Sequence, residues 1–247
     1  MKTGQLVLIL LAVAGLALVG WWMLRPGDLP TPIFASQPMW EVAASAPLVV
    51  GTLDDPFAYA GGDGVLSRTG QGTLRLLEPD GSGFLQLTVT LDGSESVLSE
   101  NVNTAGVVEL RASIPPLDEE FLDVDFHGST GRGDGRLPKT HAMVSGIAYF
   151  SLRIDGESRG APLEGLWSVA HALRREDGSV RNQGLAFSPL LRDDTVFADP
   201  DRLELTLLLY GRGSQQTDSV VLHLVYRDVE VLASPDEATS PATSREG

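Results

Sequence analysis

Leu85-Gln86-Leu87-Thr88-Val89-Thr90-Leu91 alternates apolar and polar side chains without a break. Successive strand side chains point to opposite faces, so Leu85, Leu87, Val89 and Leu91 share one face and Gln86, Thr88 and Thr90 the other. A helix would scatter both sets around its axis. Asp92-Gly93 follows directly, a dipeptide whose two positions tolerate the positive φ of a tight hairpin. This stretch predicts an antiparallel strand over a shared core.

The pattern recurs in both directions. Leu122, Val124 and Phe126 alternate with Asp123, Asp125 and His127; Ala148, Phe150, Leu152 and Ile154 alternate with Tyr149, Ser151 and Arg153. Leu203–Leu209 and Val220–Tyr226 repeat it with a more mixed second face, which carries Leu208, His223 and Val225. Further Asp-Gly pairs stand at 63–64, 80–81, 134–135, 155–156 and 177–178. No long helical period and no βαβ rhythm appears between residues 47 and 232. The fold class is therefore all-β, an antiparallel sandwich or barrel. Residues 142–175 read as two long strands joined by a loop over 155–165. Residues 181–200 read as a surface excursion.

A different signal precedes the β-region. Leu6–Leu24, LVLILLAVAGLALVGWWML, holds no charge. As a helix at ~1.5 Å per residue it is roughly 28 Å long, close to the ~30 Å hydrocarbon core. It reads as a single N-terminal transmembrane helix, an uncleaved signal anchor. A cleaved signal peptide has a shorter apolar core with a small-x-small site close behind it. Here Ala44-Ser45-Ala46 lies some way downstream. Lys2 and the amino terminus set residues 1–5 on the cytoplasmic side, and Trp21 and Trp22 then sit at the outer membrane interface. The domain beyond is expected in the periplasm or outside, on a single-pass inner-membrane protein.

Residues 25–46 form a proline-rich spacer, with a short helix expected over Ser36–Ala44, capped by Ser36. Residues 233–247, rich in Ser, Thr, Pro and charge, are expected to be disordered. Every one of the 33 acidic residues lies beyond Arg25, and the formal charge is −15. Such a domain repels nucleic acid and suits solubility or a basic partner. Cysteine is absent, which excludes thiol catalysis, disulfides and thiolate metal sites.

The most pointed chemistry is Asp123-Val124-Asp125-Phe126-His127, whose three polar residues share a strand face. Asp123, Asp125 and His127 are candidate ligands for a divalent metal, with His141 or Asp134 closing from the glycine-rich loop 128–138. Steps of about 6.7 Å along a strand make one ion hard for all three to reach. His171 shares parity with Trp167, Val169 and Leu173 and is expected to point inward; His223 sits on a mixed face. There is no Gly-x-Ser-x-Gly elbow, and loop 128–135 lacks the Lys-Ser/Thr ending of a phosphate loop. Arg132-Gly133-Asp134 matches an integrin tripeptide by chance.

These features predict a membrane-anchored, non-catalytic accessory subunit, its β-domain docked on a larger membrane protein complex and its residues 6–24 in the lipid bilayer. No cofactor is expected beyond the divalent metal. The alternatives are a β-barrel module for a lipid, isoprenoid or pigment, and a metal-assisted hydrolase at the face of residues 123–127.

Overall fold

The structure, a computed structural model, describes residues 38–51, 57–77, 79–93, 105–180, 198–211 and 220–233. The expected anchor over 6–24 with Trp21 and Trp22, most of the spacer and excursion, and the tail lie outside these residues. Among the described residues no helix is long and apolar enough to cross a membrane.

The described residues form ten strands in chain order: β1 (Pro38–Val50), β2 (Val65–Ser67), β3 (Gly70–Leu77), β4 (Gly83–Leu91), β5 (Gly106–Ile114), β6 (Leu122–Phe126), β7 (Thr140–Ile154), β8 (Glu157–Ala172), β9 (Asp199–Tyr210) and β10 (Val220–Ala233). Eight of them form a closed antiparallel barrel in the order β1-β3-β4-β5-β7-β8-β9-β10, with β10 pairing back onto β1. β2 adds to β1 and β6 adds to β7 outside this ring. Closure decides between sandwich and barrel, and it removes the exposed edges that an open sheet would leave.

β1 corrects the short helix expected over Ser36–Ala44, since residues 38–44 are strand. Helix formers such as Glu41, Ala43 and Ala44 are outweighed by ladders on both sides, Ala43 pairing with Glu230 of β10 and with Thr73 of β3. The barrel therefore begins at residue 38 rather than 47.

The alternation is realised as packing. Leu85, Leu87, Val89 and Leu91 of β4 are buried in one cluster with Phe150, Leu152 and Ile154 of β7 and Leu205, Leu207 and Leu209 of β9. An eight-stranded barrel is just wide enough for its own side chains to fill. Large rings fit because glycines face them. A Cβ on Gly146 would meet Trp167 Cζ2 at 2.8 Å, and one on Gly165 would meet Phe150 Cδ2 at 2.7 Å. Tyr226 donates its hydroxyl to the carbonyl of Thr88 at 2.8 Å, joining β10 to β4.

The connection between β7 and β8 is shorter than the expected loop over 155–165. Asp155 and Gly156 adopt φ of 49° and 81°, and Ile154 already pairs with Glu157. Two positive-φ residues make the turn whose twist matches a hairpin, so the chain reverses at once. Gly160 and Pro162 fall on the part of β8 that precedes its pairing with β9, where a strand tolerates them.

The mixed faces of β9 and β10 have a physical cause. Segments 57–64, 127–139 and 173–180 cover the outside of this wall. Phe57, Phe126, Leu137, Ala142, Leu166, Ala170, Leu208 and Val220 form a second apolar cluster between wall and cover. Both faces of these strands are thus buried, and strict alternation is lost.

Candidate functional site

The rim of the barrel at β6–β8 gathers part of the expected metal set and separates the rest. His141 of β7 pairs Nε2 with Asp123 Oδ1 at 2.9 Å, and its Nδ1 lies 3.9 Å from Asp125 Oδ1. The two carboxylates thus face different nitrogens of one imidazole. Lys139 Nζ also pairs with Asp125. Asp123 and Asp125 share the exposed face of β6 as expected and both reach His141, whereas His127, at φ of 66°, departs from that face. Asp123 turns out to solvent and His127 turns under the following loop, only 2 % exposed. His171 lies beside His141, ring centroids 5.5 Å apart, half-buried rather than in the core. Among the described residues no group of three or more His, Asp or Glu is placed to hold a metal ion.

His127 belongs to another assembly, the layer between the barrel wall and its cover. Its Nδ1 accepts the backbone N–H of Asp134 at 3.0 Å, which leaves the neutral ring's proton on Nε2. Burial pushes the imidazole down to about 4, against a weaker upward pull from Asp134. Burial alone would raise the Asp134 carboxyl, but Arg136 outweighs it. Nε donates to Oδ1 at 2.9 Å and Nη2 to Oδ2 at 2.6 Å, and the carboxyl is held below its ordinary value. Tyr210 of β9 donates to Asp134 Oδ2 at 3.2 Å, and burial lifts this phenol well above its usual range. The Arg136 guanidinium lies 4.7 Å above the Phe57 ring, and Tyr59 donates to the Arg136 carbonyl at 2.6 Å. Within Arg132-Gly133-Asp134 the Asp134 side chain is buried and its carboxylate is engaged by Arg136 and Tyr210, while Arg132 is exposed.

Behind this loop lies a cavity of about 10 Å³, lined among others by Thr140, Ser168, Arg174, Glu204, Thr206 and His223. Glu204 is only 4 % exposed. Burial raises its carboxyl above the ordinary value, while Arg174 and the backbone N–H groups of Leu173 and Arg174 pull it back. Arg174 ties two of the covering segments together by donating to the carbonyls of Phe57, Ala58 and Gly178.

No protein family, curated protein or solved structure matches this chain. The site is therefore judged on its own chemistry. An acid, two imidazoles and three hydroxyls surround the cavity, yet it has room for nothing beyond the size of a water. Its chemistry is that of a small polar chamber. Sequence reasoning missed Glu204 and Arg174, because alternation puts Glu204 on the wet face of β9. The signal that marks this wall as covered is the apolar company on that face, Leu208, Val225 and the paired Leu48.

The outer wall also carries an open trough of about 460 Å³ along β10, β1 and β3. Its floor is short side chains, Ala43, Ser45 and Thr73, and Asp228 and Glu230 flank it from β10.

Proposed function

We propose that this chain is a membrane-anchored, non-catalytic accessory protein. Residues 6–24 tether it to the inner membrane, and the barrel docks through its outer surface on a larger membrane assembly from the periplasmic or outer side. The observation that carries this reading is the filled lumen. The interior that could have served as a ligand pocket is occupied by the barrel's own leucines and aromatic rings, so the outer wall is left as the working surface. The trough between Asp228, Glu230 and Gln71 supports it, since a strongly acidic chain with an acidic groove complements a basic partner. A short tether keeps a membrane neighbour at high effective concentration, so a modest interface suffices. Native electrophoresis of host membranes in mild detergent tests the reading. Migration within a large assembly is the expected result, and migration at the chain's own mass would overturn it.

A second reading has its own observation. The indole N–H groups of Trp40 and Trp167 are buried without a hydrogen-bond partner among the described residues. These unpartnered donors are the one feature that supports a module for a lipid, isoprenoid or pigment with a polar end, which would enter only if the packed lumen opened. Mass and absorbance of the chain purified from its host separate the two readings. Metal-assisted hydrolysis draws no support from a rim whose carboxylates face different nitrogens of His141.

A further inference from the structure

We infer that the chamber behind β8, β9 and β10 is a built hydration site that holds one water molecule, with Glu204 Oε2 as its principal acceptor. Oε2 is a buried carboxylate oxygen with no hydrogen-bond partner among the described residues. The backbone N–H groups of Leu173 and Arg174 already bond this carboxyl, so they serve the other oxygen, Oε1. A carboxylate oxygen stripped of water and given nothing in return is a rare and costly arrangement. The space next to it is the cavity of about 10 Å³, close to the least volume that takes one water.

The lining supplies the remaining partners that a buried water needs. Ser168 of β8 and Thr206 of β9 bring hydroxyls that both donate and accept, and His127 of the covering loop and His223 of β10 lie round the same space. The charge balance selects a neutral occupant. Arg174 lines the same chamber as Glu204, so a positive group already faces the carboxyl there. No metal-holding group is present there among the described residues, and the volume excludes organic ligands. The occupant therefore joins wall to cover: it completes the Glu204 carboxyl on β9 and reaches groups on β8, β10 and the loop at once. It is a structural component, independent of what docks on the outer wall.

The test is an atomic-resolution crystal structure of the full chain in detergent, paired with the Glu204→Met variant. Methionine keeps the length of the side chain and removes the acceptor. The expected result is a single water peak within hydrogen-bond distance of Glu204 Oε2 and of at least one hydroxyl of Ser168 or Thr206, lost in Glu204→Met. An empty chamber would overturn the inference, as would a carboxyl rotated so that both oxygens bond protein groups. A peak that persists unchanged in the variant would overturn the role given to Glu204. Should the variant fail to fold, the wild-type map alone decides.

Discussion

The backbone N–H of Asp134 donates to Nδ1 of His127 at 3.0 Å, across a loop in which Gly128, Gly131 and Gly133 all take positive φ. The bond needs a neutral imidazole, because an imidazolium has no lone pair on Nδ1 to accept it. His127 is held at about 4 against an ordinary 6.5, so acid protonates the unfolded chain first. Its contribution to stability is complete above pH 6.5 and is lost as pH falls toward 4, roughly 3 kcal/mol in all. The lowered Asp134 carboxyl adds a loss of the same sign below its ordinary 3.8, and the raised Glu204 carboxyl works in the opposite sense. Urea unfolding at a series of pH values should show the decline. His127→Asn should flatten it at a loss of about 1–2 kcal/mol at pH 7, since asparagine accepts through Oδ1 and tolerates φ of 66°. An unchanged slope in that variant would remove His127 as its source.

Asp134 joins three parts of the layer: the loop through Arg136, the wall through Tyr210, and His127 through its backbone. Asp134→Ala leaves Arg136 without its bidentate partner and Tyr210 without its acceptor. Hydrogen bonds to charged groups are worth about 1.5–3 kcal/mol each. The variant should lose about 2–4 kcal/mol and expose the covering loop to proteolysis before the barrel opens. Cleavage no faster than in the wild type would show that the loop is held elsewhere.

Strands such as β4 could be read because they bury one face, and Leu85-Gln86-Leu87 states that directly. The cover could not. His127 follows the same alternation on paper, and only φ of 66° turns it from the Asp123 face into the outer layer. Positive φ at a residue other than glycine leaves little trace in sequence, so alternation groups His127 with Asp123 and Asp125, from which the backbone separates it. The hairpin at Asp155-Gly156 shows the reverse. The turn chemistry was legible, but Gly160 and Pro162 made the following strand look like loop.

The lumen gives a sharper test of packing. A Cβ on Gly165 would come within 2.7 Å of Phe150 Cδ2 and Cε2, and within 2.9 Å of Leu209 Cδ2. Gly165→Ala should destabilise by about 1–3 kcal/mol through overpacking. A Cβ on Gly160 would meet nothing within 4 Å, so Gly160→Ala should lose only the strain of its φ of 62°. Thermal melting compares them, and equal losses would contradict a tightly filled interior.

The rim yields a prediction about metals. Asp123 and Asp125 engage different nitrogens of His141, and no group of three or more ligands is assembled there among the described residues. Chelator-treated chain should melt at the same temperature with and without Ca²⁺, Zn²⁺ or Cu²⁺. A rise that depends on His141 and His171 would restore the metal reading with a ligand set different from the expected one.

The outer trough is where the docking reading is most exposed to refutation. Asp228 pairs with Ser45 and Glu230 with Ala43, so both carboxylates stand beside a floor of short side chains on β1. Both residues are exposed, and their replacement should move stability by no more than about 0.5 kcal/mol. Asp228→Lys with Glu230→Lys reverses the sign of this wall. Like charges then face a basic partner, and the change should appear mainly as slower association that is sensitive to salt. Co-migration with the membrane assembly should fall by tenfold or more, equivalent to about 1.4 kcal/mol. Raised ionic strength should weaken the wild type and narrow its gap from the variant. If the variant co-migrates as fully as the wild type at low salt, the partner meets another face of the barrel.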